Sequence, residues 1–153
     1  MVTRRLGREF ALQALYQCDA LGEMHKGCIE WYYEAFHATK LEEDLEFSKS
    51  VAFGVIENLQ RIDELITAAS HHWTIDRMSR VDRNILRIGV FEIAYRDDIP
   101  HSVSINEAIE IAKRYAAEDT PMFVNGVLDR VASDLAAAPC TANILPFKKV
   151  MND

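Results

Sequence analysis

Three arginines crowd the start of the chain: Arg4, Arg5 and Arg8 stand among the first eight residues with no acid between them. At about 100° per helical residue they spread over one flank of an opening helix. Tyr16, eleven positions after Arg5, returns to within roughly 20° of the same azimuth. Guanidinium groups fork onto phosphate oxygens and a phenol ring stacks on an unpaired base, which is the chemistry of a single-stranded nucleic-acid contact. The competing reading is a solvated basic helix end. Positive charge at a helix N-terminus opposes the macrodipole, at a cost of roughly 0.3–1 kcal/mol per charge, so the placement speaks for function. A second charged run, Asp76, Arg77, Arg80, Asp82, Arg83 and Arg87, alternates in sign. Such a run suits a solvated helix face or, more sharply, a docking surface for a protein partner.

Catalytic constellations are absent from the sequence. It holds no phosphate-cradling glycine loop, no Cys-x-x-Cys, no His-Glu-x-x-His and no Gly-x-Ser-x-Gly. His71 and His72 are neighbours, and on a helix they would diverge by about 100° rather than share a metal. His25, His37 and His101 are scattered along the chain. The acid pairs Asp97–Asp98 and Glu118–Asp119 fall in predicted turns, where capping chemistry accounts for them. No catalytic residue, metal or cofactor is therefore expected. Cys18, Cys28 and Cys140 are odd in number and lack redox spacing, which fits a reducing, cytoplasmic setting.

The elements that must carry these residues read as helices throughout. With 153 residues, 49% of them hydrophobic, the chain suits one domain with a sizeable core. No apolar run approaches the ~20 residues of a membrane span, and the N-terminus lacks a signal peptide's apolar stretch. Its net charge is −7, and beyond residue 8 there are 14 bases against 24 acids, so indiscriminate binding to nucleic acid is excluded. A first helix runs from a Thr3 cap to Gly22, with Leu6, Phe10, Ala14, Cys18 and Leu21 as its core stripe. A second, near 28–39, offers Ile29, Tyr32, Tyr33 and Phe36. The period from 42 to about 70 makes one helix or two, with the break between Asn58 and Arg61. The segment after His71, His72 and Trp73 reads as a connector through Asp76.

Ser79 and Asp82 open a helix to about Arg96 that is apolar on most of its circumference, which places it in the middle of a bundle. Ser104 with Glu107 makes a capping box for the next helix, to about Ala117. Thr120 and Pro121 form an N-cap and first-turn pair for the last. Gly54, Gly89 and Gly126 inside helices suggest close helix–helix approach. The expectation is an all-α fold of about seven helices in two packed sub-bundles, about 3–72 and 79–138. Residues 139–153 follow as a loose C-terminal tail.

Five segments then resemble the NusB family of bacterial transcription antitermination factors. They are Arg-Arg-x-x-Arg-Glu-x-x-Leu-Gln-Ala-Leu-Tyr (4–16), Leu-Arg-Ile-Gly-Val-Phe-Glu (86–92), Asp-Ile-Pro (98–100), Ser-Ile-Asn-Glu-Ala-Ile-Glu-Ile-Ala-Lys (104–113) and Phe-Val-Asn-Gly-Val-Leu-Asp (123–129). The resemblance implies the family's two helical sub-bundles and its activity. That activity is binding of single-stranded boxA RNA in nascent ribosomal RNA operon transcripts, together with the small-subunit ribosomal protein NusE. Other Nus factors and RNA polymerase complete the antitermination complex. By matching position, the RNA side would be Arg4, Arg5, Arg8, Tyr16, Asp119 and Phe123, and the partner side would include Asp82. Met122 departs from the family pattern, which often has a basic residue there. Two other readings stay open: a helical protein-only adaptor or homodimer, and a fragment of the helical module that precedes some RNA cytosine methyltransferases.

Overall fold

The structure, a computed structural model, describes residues 1–71 and 73–138. The expected tail at 139–153, with Cys140, and His72 lie outside the described residues. The described residues form seven α-helices: α1 (Arg4–Leu21), α2 (Lys26–His37), α3 (Glu42–Glu57), α4 (Leu59–Ala69), α5 (Arg80–Tyr95), α6 (His101–Tyr115) and α7 (Thr120–Ala137). A single 3₁₀ turn, Ile75–Arg77, leads into α5. There is no strand among the described residues.

The all-round apolarity of α5 does what the sequence predicts. Every residue from Asn84 to Tyr95 is buried, and the helix packs against α1, α3, α4, α6 and α7. Helices α1, α2 and α3 pack together and α6 packs on α7, while α4 touches both α5 and α7. Close approach is enforced by glycine at two crossings. A Cβ on Gly54 would lie 2.2 Å from the Phe91 ring, and one on Gly89 would lie 2.7 Å from Leu128. Gly126 is different: nothing lies within 4 Å of its would-be Cβ, so the expected close approach does not hold there.

The long pattern from 42 to 70 resolves into two helices broken at Asn58, whose side-chain amide donates to the Gly54 carbonyl at 2.8 Å. The Thr3 hydroxyl caps α1 by accepting from the Leu6 N–H, and Gly22 closes it in the left-handed region at φ 70°. The stripe predicted for α1 holds in its middle, where Ala14 and Cys18 are fully buried and Phe10 packs against the core, and fails at its ends. Leu6 and Leu21 are exposed, and the buried face is built from Gly7, Ala11, Leu12, Ala14, Leu15 and Cys18. Phe36, expected in the core, is also exposed.

Two caps differ from expectation as well. Helix α6 begins at His101 after Pro100, and Ser104 lies buried inside it. Asp119, not Thr120, is the N-cap residue of α7, and Thr120 is buried in the first turn ahead of Pro121.

Candidate nucleic-acid interface

Helix α1 presents two of its three arginines outward. The Arg4 and Arg5 side chains are 54% and 52% exposed, whereas Arg8 is 3% exposed. Arg8 forks onto Glu92 of α5, with Nε donating to Oε2 at 2.7 Å and Nη2 to Oε1 at 2.9 Å. The Ser104 hydroxyl donates to the same Oε1 at 2.8 Å. A buried charge is tolerated only when it is paired and hydrogen-bonded, and this one is both. The expectation that Arg8 faces RNA is therefore corrected: it is a tie between α1 and α5, out of reach of a phosphate.

Glu107 of α6 stands between the inner and outer arginines. Its Oε2 accepts from Arg5 Nε at 2.9 Å and Nη2 at 2.6 Å, and its Oε1 lies 3.4 Å from Arg8 Nη1. Arg4 has a looser partner, Asp98, at 3.6 Å. Its guanidinium lies 4.7 Å from the centre of the Phe47 ring, over which Arg8 and Arg96 also sit at 5.1 and 5.4 Å. Arg96 forks onto Asp98 at 2.9 Å through both Nε and Nη2 and is the main reason that carboxyl is held down at about 2. Arg4, Phe47 and Arg96, with Glu43, Glu46, Ser50 and Asp98, line an open hollow of about 560 Å³.

Tyr16 lies further along α1, 41% exposed, on a second hollow that reaches Val81 at the start of α5. Next to Val81, Asp82 is half-buried. Its N–H donates to the Ser79 hydroxyl at 3.1 Å, and its Oδ1 accepts from the Thr120 hydroxyl at 3.2 Å. This bond ties the start of α5 to the start of α7. It brings Asp82 beside exposed Asp119 and half-buried Phe123, whose ring centre is 5.6 Å from that of Trp73. Met122 is 82% exposed at the same end. The expected site residues thus fall into an arginine pair on α1, a cluster at the start of α5 and α7, and Tyr16, whose hollow reaches toward that cluster.

The second charged run divides. Arg83 pairs with Asp19 through both Nε and Nη2. Arg87 forks onto Asp63 at 2.9 Å and reaches Asp19 at 3.1 Å, while Asn84 donates to Asp19 at 2.9 Å. Burial pushes the Asp19 carboxyl up, but the hydrogen bonds from Arg83 and Asn84 prevail and leave it below its ordinary range. These groups lock α1, α4 and α5 together, whereas Arg77 and Arg80 remain exposed.

Sequence reasoning missed Trp73, Arg114 and Tyr115. Trp73 adjoined a segment read only as a connector. The Arg114–Tyr115 pair, a base beside a ring at the end of α6, was a legible signal of the same kind as Arg5 and Tyr16. No group of three or more metal-ligating side chains occurs among the described residues. No helix among them is long and apolar enough to cross a membrane.

A model of the NusB family matches residues 5–133. The transcription antitermination protein NusB of Geobacter sp. (strain M21) is 48% identical over 139 residues, covering 87% of this chain and 96% of that protein. The NusB of Myxococcus xanthus (strain DK1622) is 47% identical over 134 residues, covering 86% and 96%. Among solved structures, T. maritima NusB superposes with a TM-score of 0.78 at 38% identity, covering 88% of this chain and 94% of that one. A structure of the antitermination factors NusB and NusE in complex with dsRNA gives 0.73 at 27% identity, covering 86% and 96%. A family model spanning most of the sequence, near-half identity to named members and a shared helical fold lead to one conclusion: the chain belongs to the NusB family of transcription antitermination proteins.

Proposed function

We propose that the protein binds single-stranded boxA RNA of nascent ribosomal RNA operon transcripts together with NusE, and so joins an antitermination complex with other Nus factors on RNA polymerase. The observation that carries this reading is the exposure of Arg4 and Arg5 on the helix that also presents Tyr16, in a chain otherwise rich in acid. Asp119 and Phe123 extend the RNA side toward the start of α7, and Asp82 marks the partner side. The family relative solved with NusE and RNA supports both partners.

Two exposed arginines are too few for a tight site on a chain of net charge −7. The partner must supply further contacts, so RNA and NusE bind cooperatively, and each raises affinity for the other by the same factor. A gel shift with a boxA-like single-stranded RNA over a range of salt, with and without NusE, tests the reading. Arg4→Ala/Arg5→Ala should weaken binding and flatten the log–log salt slope by roughly 1.4, or about 0.7 for each lost phosphate contact. Unchanged affinity in that variant, or independent binding of NusE and RNA, would refute it.

A further inference from the structure

The hollow beside Tyr16 is a groove of about 350 Å³ between α1, α2, α6 and the start of α5. Tyr16, Phe36 and Tyr115 rise around it with 41%, 58% and 36% of their surface exposed. Tyr32 forms part of its floor and stacks on Phe36 with ring centres 4.7 Å apart. Gln17 adds an amide to this aromatic lining, and Gln13 a second whose oxygen accepts from the Tyr32 hydroxyl at 3.5 Å and whose NH2 remains to donate. An amide carries both a donor and an acceptor, the complement of a base edge, and a ring face accepts any base by stacking.

One wall of the groove is shared with a cationic cleft. Tyr115 donates its hydroxyl to Glu9, and Arg114 pairs with the same Glu9 Oε1 at 3.1 Å while lying 5.4 Å over the Tyr115 ring. Arg5, Lys113 and Arg114 line that neighbouring cleft together with Glu9, Glu110 and Ile111, which leaves the bases one charge ahead. The Arg114 and Lys113 side chains are 68% and 59% exposed. The Lys113–Glu110 pairing is of the exposed kind that contributes little, whereas Glu9 is only 5% exposed and keeps the Tyr115 hydroxyl when Arg114 turns to a phosphate. Rings and amides inside, with guanidinium and ammonium groups at the lip, match an unpaired base between two phosphates. A greasy protein side chain would leave the amides and cations unused.

We propose that this groove is a nucleobase pocket of the RNA site, with Arg114 and Lys113 taking the flanking phosphates. The proposal rests on the RNA-binding reading above and names the surface that adds base contacts to Arg4 and Arg5.

The test uses the full chain, a 12-nucleotide boxA-like single-stranded RNA, and the same RNA made abasic at one position at a time. Phe36→Ala removes an exposed ring and should weaken binding at least fivefold with the salt slope unchanged. Arg114→Ala should instead flatten the slope by about 0.7. In wild type one abasic position should cost as much as Phe36→Ala does, and in Phe36→Ala that position should cost nothing further. If Phe36→Ala and Arg114→Ala both bind like wild type while Arg4→Ala/Arg5→Ala fails to bind, the groove proposal falls and the RNA reading stands. If all of them bind like wild type, the RNA reading falls with it. Loss of NusE binding by Phe36→Ala, with affinity for RNA alone kept, would assign the groove to a protein partner and overturn the proposal.

Discussion

Arg8 and Glu92, separated by 84 residues in sequence, meet through two hydrogen bonds of 2.7 and 2.9 Å inside the bundle. The pair joins the helix that carries the exposed arginines to the helix at the centre of the fold. Arg8 therefore acts on the surface at a distance, by fixing how α1 lies and hence where Arg4 and Arg5 project.

Removing one member of this pair leaves the other buried and uncompensated, which typically costs about 3–5 kcal/mol. Arg8→Ala should lower the urea midpoint accordingly, whereas Arg8→Met combined with Glu92→Met should recover much of the loss. Circular dichroism through a urea titration measures both. A folded, undiminished Arg8→Ala with RNA affinity lost would restore Arg8 to the binding surface.

Glu107 competes for the same guanidinium that RNA is proposed to use. Arg5 donates twice to its Oε2, so a phosphate must displace a carboxylate already in place. Glu107→Gln keeps the shape and weakens the hold, and it should raise RNA affinity by a few fold. Fluorescence anisotropy at low salt reads the change, and a decrease would show that Glu107 serves only to orient Arg5.

His37 gives the fold a dependence on mild acid. Both its ring nitrogens are buried without a hydrogen-bond partner, among the rings of Phe10, Tyr32 and Tyr33. Burial first, and the nearby charge of Lys40 second, lower its pKa from the ordinary value. The unfolded chain takes up this proton as pH falls through about 6.5, while the native state still resists it. Stability is thus full above that pH and declines below it, until the native histidine is itself protonated. Comparing urea midpoints at pH 7.5 and 5.5 should show a smaller drop for His37→Phe than for wild type. Equal drops would locate the dependence elsewhere.

The glycines separate by surroundings. Gly54→Ala drives a methyl into the buried Phe91 ring and should destabilise by roughly 1–3 kcal/mol. Gly126→Ala meets open space inside a helix and should stabilise by roughly 0.4–1 kcal/mol. Thermal unfolding of the two variants should shift in opposite directions.

Much of the architecture was legible because its signals are local. The apolar circumference of α5, the cap at Thr3, the left-handed close at Gly22 and the break at Asn58 each depend on a few adjacent residues. The orientation of α1 was legible only at Phe10, Ala14 and Cys18. Half of its buried residues are small, Gly7, Ala11, Ala14 and Cys18, where α3 and α5 pack against it, and small residues carry a weak apolar signal. Exposed Leu6 and Leu21, larger and more apolar, extend the predicted stripe past the buried face at both ends. Arg8 misled for a related reason: its partners come from α5 and α6, and no helical period announces a carboxylate 84 positions away. The same remoteness made Ser104 resemble a cap when its hydroxyl in fact serves Glu92.

The doubly engaged Glu107 has one more consequence if the surface serves RNA. An anion with a single handhold, such as a free mononucleotide, exchanges one weak pairing for another and gains almost nothing. A strand that grips several points at once adds those small gains within one encounter, because every later contact is intramolecular. A carboxylate that blunts the attraction at Arg5 thereby screens out the small-molecule pool and leaves the polymer as the preferred occupant.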